Sequence, residues 1–201
     1  MKFKPILIFT GEPNSIFSEI LIKSLNKIKI KKPIIVISSK KLLTKQLNKL
    51  RLKKRIRVLN DKNLNNYKLN NKSINLINID YSQRKAFEKI SSKSKKFIED
   101  SFRMAFKIIK KEKVFRFING PISKKYFLNK KYLGITEYIS DNFQKKNTSM
   151  LIFNKRLSVC PVTTHLPLKL VSKKINKKNI QNKVNLIQKF YKENLKKIPR
   201  I

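Results

Sequence analysis

Short apolar runs that alternate with helix-period stripes constrain this chain more than any other feature. Pro5-Ile6-Leu7-Ile8-Phe9 reads as a buried strand, Ile34-Ile35-Val36-Ile37 as a second, Ile56 to Leu59 as a third, short one and Ile74 to Ile79 as another. Between them, apolar residues Ile16, Ile20, Leu21, Leu25 and Ile28 recur at helical spacing, and the next stripe is Leu42, Leu43, Gln46, Leu47 and Leu50. Asn14 or Ser15 is expected to cap the first of these helices, and Ser39 the second. Residues 60–73, rich in Asn and Lys, read as a loop. The longest helical pattern runs from about Ser92 to Lys111, with Phe97, Ile98, Phe102, Ala105, Phe106 and Ile109 on one face. Strands alternating with helices predict an α/β fold with a mostly parallel sheet flanked by helices.

The second half continues the pattern less regularly. Val114 to Ile118 reads as a strand, followed by a turn at Gly120-Pro121 and a short helix near Ile122 to Leu128. A further helix is expected to start at Thr136. Met150 to Phe153 and Leu157 to Val162 read as two strands joined by Asn154-Lys155-Arg156, the second of them buried. Leu168 to Ile175 and Ile180 to Leu195 read as helices. The chain reaches Ile198-Pro199-Arg200-Ile201, which looks like the approach to another strand. No internal repeat and no clean linker is visible, so residues 1–201 are expected to form one contiguous α/β region.

Composition narrows the function classes. The 201 residues include one cysteine, Cys160, which excludes an internal disulfide and a Cys-built zinc site. It is expected to be a small core residue. The apolar run after Met1-Lys2-Phe3-Lys4 is too short for a signal peptide or a membrane span, and a cytoplasmic location is expected. The net charge of +39 reads either as a footprint for RNA or the ribosome or as drift toward AT-rich codons. Lys greatly outnumbers Arg, and the basic residues are spread along the whole chain, which favours drift over a nucleic-acid surface.

Chemistry concentrates where the rare residues sit. The only histidine, His165, lies in Thr163-Thr164-His165-Leu166-Pro167-Leu168, after the run expected to be a buried strand. A neutral imidazole there suits metal ligation or proton transfer. The three glycines mark three strand-to-helix junctions: Thr10-Gly11-Glu12-Pro13, Asn119-Gly120-Pro121-Ile122-Ser123-Lys124 and Gly134-Ile135-Thr136-Glu137. Ligands of open α/β sheets bind at such junctions, where helix N-termini offer free N–H groups to phosphate. Neither a G-x-G-x-x-G nor a Walker loop is present. Lys124 reads equally as solvated surface or as a ligand contact. Glu12 is expected to be a first-turn helix carboxylate without a catalytic role, and Thr136-Glu137 to be an N-terminal cap compatible with phosphate binding.

In this order the motifs resemble those of the 4-hydroxythreonine-4-phosphate dehydrogenase family of vitamin B6 synthesis. Phe9 to Glu19 is similar to that family's opening Thr-Pro-Gly-(Asp/Glu)-Pro segment, with Ser15 and Phe17 where the family has glycines. Asn119 to Lys124 resembles its Thr-Gly-Pro-(Ile/Val)-x-Lys, and Gly134 to Tyr138 its Gly-His-Thr-Glu-(Phe/Tyr). Thr163 to Leu168 matches its Thr-Thr-His-Leu-Pro-Leu throughout. The resemblance implies an isocitrate/isopropylmalate-dehydrogenase-like fold and a homodimer. It implies NAD-dependent oxidation and decarboxylation of 4-phosphooxy-L-threonine to 3-amino-2-oxopropyl phosphate, with a divalent metal (Zn, Mg or Co) as Lewis acid. By motif, His165 corresponds to a metal ligand, and Thr136 to a substrate-binding residue near the phosphate. Lys124 is a further candidate contact. Ile135 stands in a substrate-binding position where the family has His. Either binding is weaker for that reason, or backbone N–H groups and Thr136 hold the phosphate alone.

The resemblance also implies more chain. The family's other two metal histidines, several substrate contacts and much of the NAD site lie in motifs this sequence does not contain. The chain is therefore expected to be the N-terminal portion of a longer two-lobed enzyme, its C-terminal part missing. The alternatives are a basic RNA- or ribosome-binding α/β module and an inactive remnant.

Overall fold

The computed structural model describes residues 5–112, 116–128, 131–145 and 147–201. Backbone contacts divide the chain, expected to form a single region, into two compact units, residues 1–130 and 131–201.

The first unit holds five strands: β1 (Ile6–Phe9), β2 (Ile34–Ser38), β3 (Ile56–Val58), β4 (Ile74–Asn78) and β5 (Phe117–Asn119). All pair parallel, in the order β3-β4-β2-β1-β5. Ile8 registers with Val36 and with Ile118, and Val36 with Leu76. A parallel sheet must be covered on both faces, and alternation along the strands supplies both. Ile8, Ile34, Val36, Ile74 and Leu76 pack with Leu21 and Ile22 of α1 (Phe17–Lys27) and with Leu43 and Leu47 of α2 (Lys40–Lys49). Phe9 points the other way. Its ring meets Phe97 at 6.1 Å and Phe102 at 5.1 Å, both on α3 (Lys95–Glu112). The predicted phenylalanine stripe is thus core packing.

Local signals are mostly obeyed. Ser39 caps α2 by accepting from the Leu42 N–H at 3.3 Å. The first helix departs from expectation: its N-cap is Ile16, and neither Asn14 nor Ser15 fills that role. Asn14 is instead occupied outside the helix, where its Oδ1 accepts from Gln83 Nε2 and from the Glu88 N–H, each at 2.8 Å. The segment expected to be a loop contains a 3-10 helix at Asp61–Asn66, anchored by Leu64, which is buried. Residues 124–128 form a single π-helical turn. Val114 and Phe115, expected to open the fifth strand, lie outside the described residues.

The second unit contains α4 (Ile135–Asn142), α5 (Leu168–Lys174) and α6 (Lys177–Phe190), the last followed by a π turn at Tyr191–Leu195. The two strands expected at 150–153 and 157–162 reduce to one antiparallel bridge, Ile152 with Val159. The second of them is not buried, since Leu157 is 74% and Val159 52% exposed. An apolar run is buried only where another element covers it. Among the described residues of this unit, only Gly134 is buried. No helix among the described residues is long and apolar enough to cross a membrane.

Candidate functional site

In the first unit, two junctions at the carboxyl ends of β1 and β5 interlock. Gly11 adopts φ +76, and a Cβ there would lie 2.5 Å from the Pro121 carbonyl oxygen. A Cβ on Gly120 would lie 2.2 Å from the Thr10 carbonyl oxygen. The Glu12 N–H donates to Pro121 O at 2.7 Å, and the Gly120 N–H to Phe9 O at 2.8 Å. Only glycine lets these two backbones approach so closely.

Glu12 follows directly and is 2% exposed. It precedes the first helix instead of standing in its first turn, because α1 begins at Phe17. Ser94 Oγ donates to its Oε2 at 3.0 Å, while Oε1 has no partner. Burial raises its pKa, opposed by the bonds from Ser94 and from the Asn14 backbone. Lys124 also belongs to this unit, exposed at the start of the π turn.

The other candidates lie in the second unit. Gly134 takes the N-cap position of α4 in extended conformation, without a side-chain cap bond. Ile135 is half-buried, Thr136 exposed and Glu137 half-buried. His165 is exposed rather than held at the end of a buried strand, and its backbone is left-handed, with φ 54. That conformation is uncommon for a residue with a Cβ. The turn brings the imidazole back toward α4. Thr136, Glu137, Thr148, Thr164, His165 and Lys183 line one cavity of about 60 Å³. Ile135 is not among the residues that line it. Cys160 is half-buried, its Sγ 3.0 Å from Ser149 Oγ, and so is not a core residue.

Two of these groups were not singled out by sequence. Glu137 had been read only as a cap, yet its Oε2 is buried without a partner. Its place inside the Gly134–Tyr138 motif was the available signal. Lys183 donates from Nζ to the Thr148 carbonyl at 2.7 Å. It was indistinguishable in sequence from the lysines around it. Lys183, Thr148 and Thr164 also line a neighbouring cavity of about 300 Å³, with Thr163, Asn179 and Lys174.

The donor set can be weighed against a divalent ion. An exposed imidazole that lines a polar cavity fits one corner of such a site. Among the described residues, no three His, Cys, Asp or Glu side chains converge to complete it.

Comparison with known proteins places this geometry in context. The family model described as pyridoxal phosphate biosynthetic protein PdxA matches residues 29–201. A 4-hydroxythreonine-4-phosphate dehydrogenase of Sulfurihydrogenibium sp. (strain YO3AOP1) is 33% identical over 190 residues, which are 94% of this chain and 58% of that protein. The enzyme of the same name from Aquifex aeolicus (strain VF5) is 37% identical over 70 residues, 35% of this chain and 22% of its own length. Among solved structures, 4-hydroxythreonine-4-phosphate dehydrogenase from Klebsiella pneumoniae aligns with a TM-score of 0.80 at 21% identity, over 94% of this chain and 59% of its own. The Burkholderia phymatum structure of the same description aligns at 0.79 and 20%, over 93% and 58%. At these identities the structures speak for the fold, an α/β architecture with a parallel sheet. The chain spans less than two thirds of the length of the relatives it matches.

Proposed function

This chain belongs to the PdxA family of pyridoxal phosphate biosynthesis, and from that membership we propose that it carries part of the active site of a 4-hydroxythreonine-4-phosphate dehydrogenase. The reaction is the NAD-dependent, metal-assisted oxidation and decarboxylation of 4-phosphooxy-L-threonine to 3-amino-2-oxopropyl phosphate. The setting is a cytoplasmic homodimer. The observation that carries this reading is the meeting of Thr136 and His165, distant in sequence, in one polar cavity.

Each residue has a role that its chemistry allows. The Thr136 hydroxyl and the free N–H groups of the first turn of α4 donate to phosphate oxygens. Ile135 offers no hydrogen bond, so the phosphate rests on those donors alone. Lys124 is assigned a ligand contact on its motif alone, apart from this cavity. His165 presents a lone pair toward the reacting end of the substrate. A divalent ion bound there supplies Lewis acidity. One imidazole fills about one of the three protein positions of such a site, and the remaining ligands are assigned to residues outside these 201. No residue of this chain is assigned to NAD.

The test follows the single histidine by NMR. Zn²⁺ is expected to shift the His165 ring signals, and 4-phosphooxy-L-threonine to bind in its presence. Thr136→Ala is expected to weaken that binding about 10-fold, the cost of one hydrogen bond to a charged group. A Zn²⁺ affinity that is the same in His165→Ala, measured by calorimetry, would overturn the metal assignment. Unchanged substrate affinity in Thr136→Ala would overturn the phosphate assignment.

A further inference from the structure

The orphaned carboxylate oxygen beside the only imidazole has a use that the assignments above leave open. Glu137 Oε2 is buried without a hydrogen-bond partner. A buried unpaired carboxylate oxygen is costly, and such groups persist where a donor is meant to reach them. The same spot above Gly134 is approached by two groups. A Cβ built on Gly134 would lie 2.8 Å from Glu137 Oε2 and 3.6 Å from His165 Nε2. Both side chains line the small cavity. His165 stands in this corner with a left-handed backbone, φ 54. Glycine at 134 is not required by dihedral angle, since its φ of −160 is extended. What the absent Cβ leaves there is room for the two side chains to meet.

We propose that Glu137 is a positioning residue for His165: a side-chain rotation brings its Oε2, unpaired in the structure, to accept the Nε2–H of the imidazole, fixing the tautomer and leaving the Nδ1 lone pair open. Carboxylates commonly orient ligating histidines in this way. The step moves no proton between the groups; it selects which ring nitrogen carries one. The inference rests on the reading of His165 as a ligand for its purpose, but not for its measurement.

The experiment uses the whole chain with ¹⁵N-labelled histidine, at about pH 8.5, where an ordinary imidazole is neutral. The two ring-nitrogen shifts report the tautomer ratio, and His165 is the only source of signal. Relative to wild type, Glu137→Ala is expected to lower the Nε2–H population ratio about 10-fold, the worth of a hydrogen bond to a charged acceptor. Glu137→Gln, whose amide oxygen still accepts, is expected to restore part of it. Gly134→Ala is expected to reproduce the Glu137→Ala shift with the carboxylate present, because the new Cβ displaces Oε2. It also decides the matter should Glu137→Ala fail to fold. An unchanged tautomer ratio in the folded Glu137→Ala or Gly134→Ala chain overturns the proposal. A tautomer shift in a chain whose His165 signals ignore Zn²⁺ sustains the positioning role and removes the metal reading instead.

Discussion

Glu12 shows how far a residue's neighbours decide its chemistry. Its sequence context suggested a solvated carboxylate in the first turn of a helix. The fold instead buries it against Ser94, with one oxygen unpaired. Burial raises its pKa above the ordinary 4.5, so the folded chain holds the proton more tightly than the unfolded chain does. Its contribution to stability is therefore fully present below the unfolded value and is lost as pH rises through the raised folded value. Glu12→Gln removes this titration. Chemical denaturation from about pH 4 to pH 8 should show a smaller fall in stability for the variant than for wild type. Parallel curves would refute the assignment. His165 illustrates the opposite case. Its uniqueness and its motif were plain in the sequence, whereas its left-handed backbone and its corner beside Gly134 were not.

At the scale of elements, the clearest legible signals were those that act locally. Ser39 caps α2 as its residue type predicts, and the helical stripes of α2 and α3 face the sheet; of the stripe expected for α1 only Leu21 and Leu25 do, while Ile16, Ile20 and Ile28 are exposed. The run from Leu157 to Val162 shows where local reading stops. Its apolar residues suggested a buried strand, yet pairing is confined to the Ile152–Val159 bridge, and Leu157 and Val159 lie exposed. Strand formation depends on partners, which a sequence window does not contain. The interlocked ends of β1 and β5 give the sharpest element-level prediction. Gly120→Ala forces a Cβ to within 2.2 Å of the Thr10 carbonyl oxygen, a backbone atom that cannot swing away. Thermal or chemical unfolding should show a loss of about 1–3 kcal/mol or more, as for other overpacked sites. Gly134→Ala, whose nearest contact is the flexible end of Glu137, should cost clearly less. Equal losses would mean that the junction is not as tightly built as its distances indicate.

Over the whole molecule, the buried core is unevenly distributed. Every buried hydrophobic side chain among the described residues lies at or before Leu128. In residues 131–201, large apolar side chains such as Leu168 and Ile198 are 87% and 92% exposed. Protection from hydrogen exchange follows buried contacts. Amides of β1, β2 and β4 should therefore exchange orders of magnitude more slowly than those of α4, α5 and α6. Comparable protection in both units would contradict this distribution.

By itself, the sequence determined the class of fold and the family, because hydrophobic period and short motifs are local properties of a chain. It also marked His165, Thr136 and the glycine junctions as candidate positions for chemistry. Only the tertiary structure decided which of these residues share a cavity, that Glu12 is buried and Glu137 orphaned, and which apolar runs find cover. Those outcomes depend on contacts between segments distant in sequence, and a burial or a pKa shift exists only once such contacts have formed.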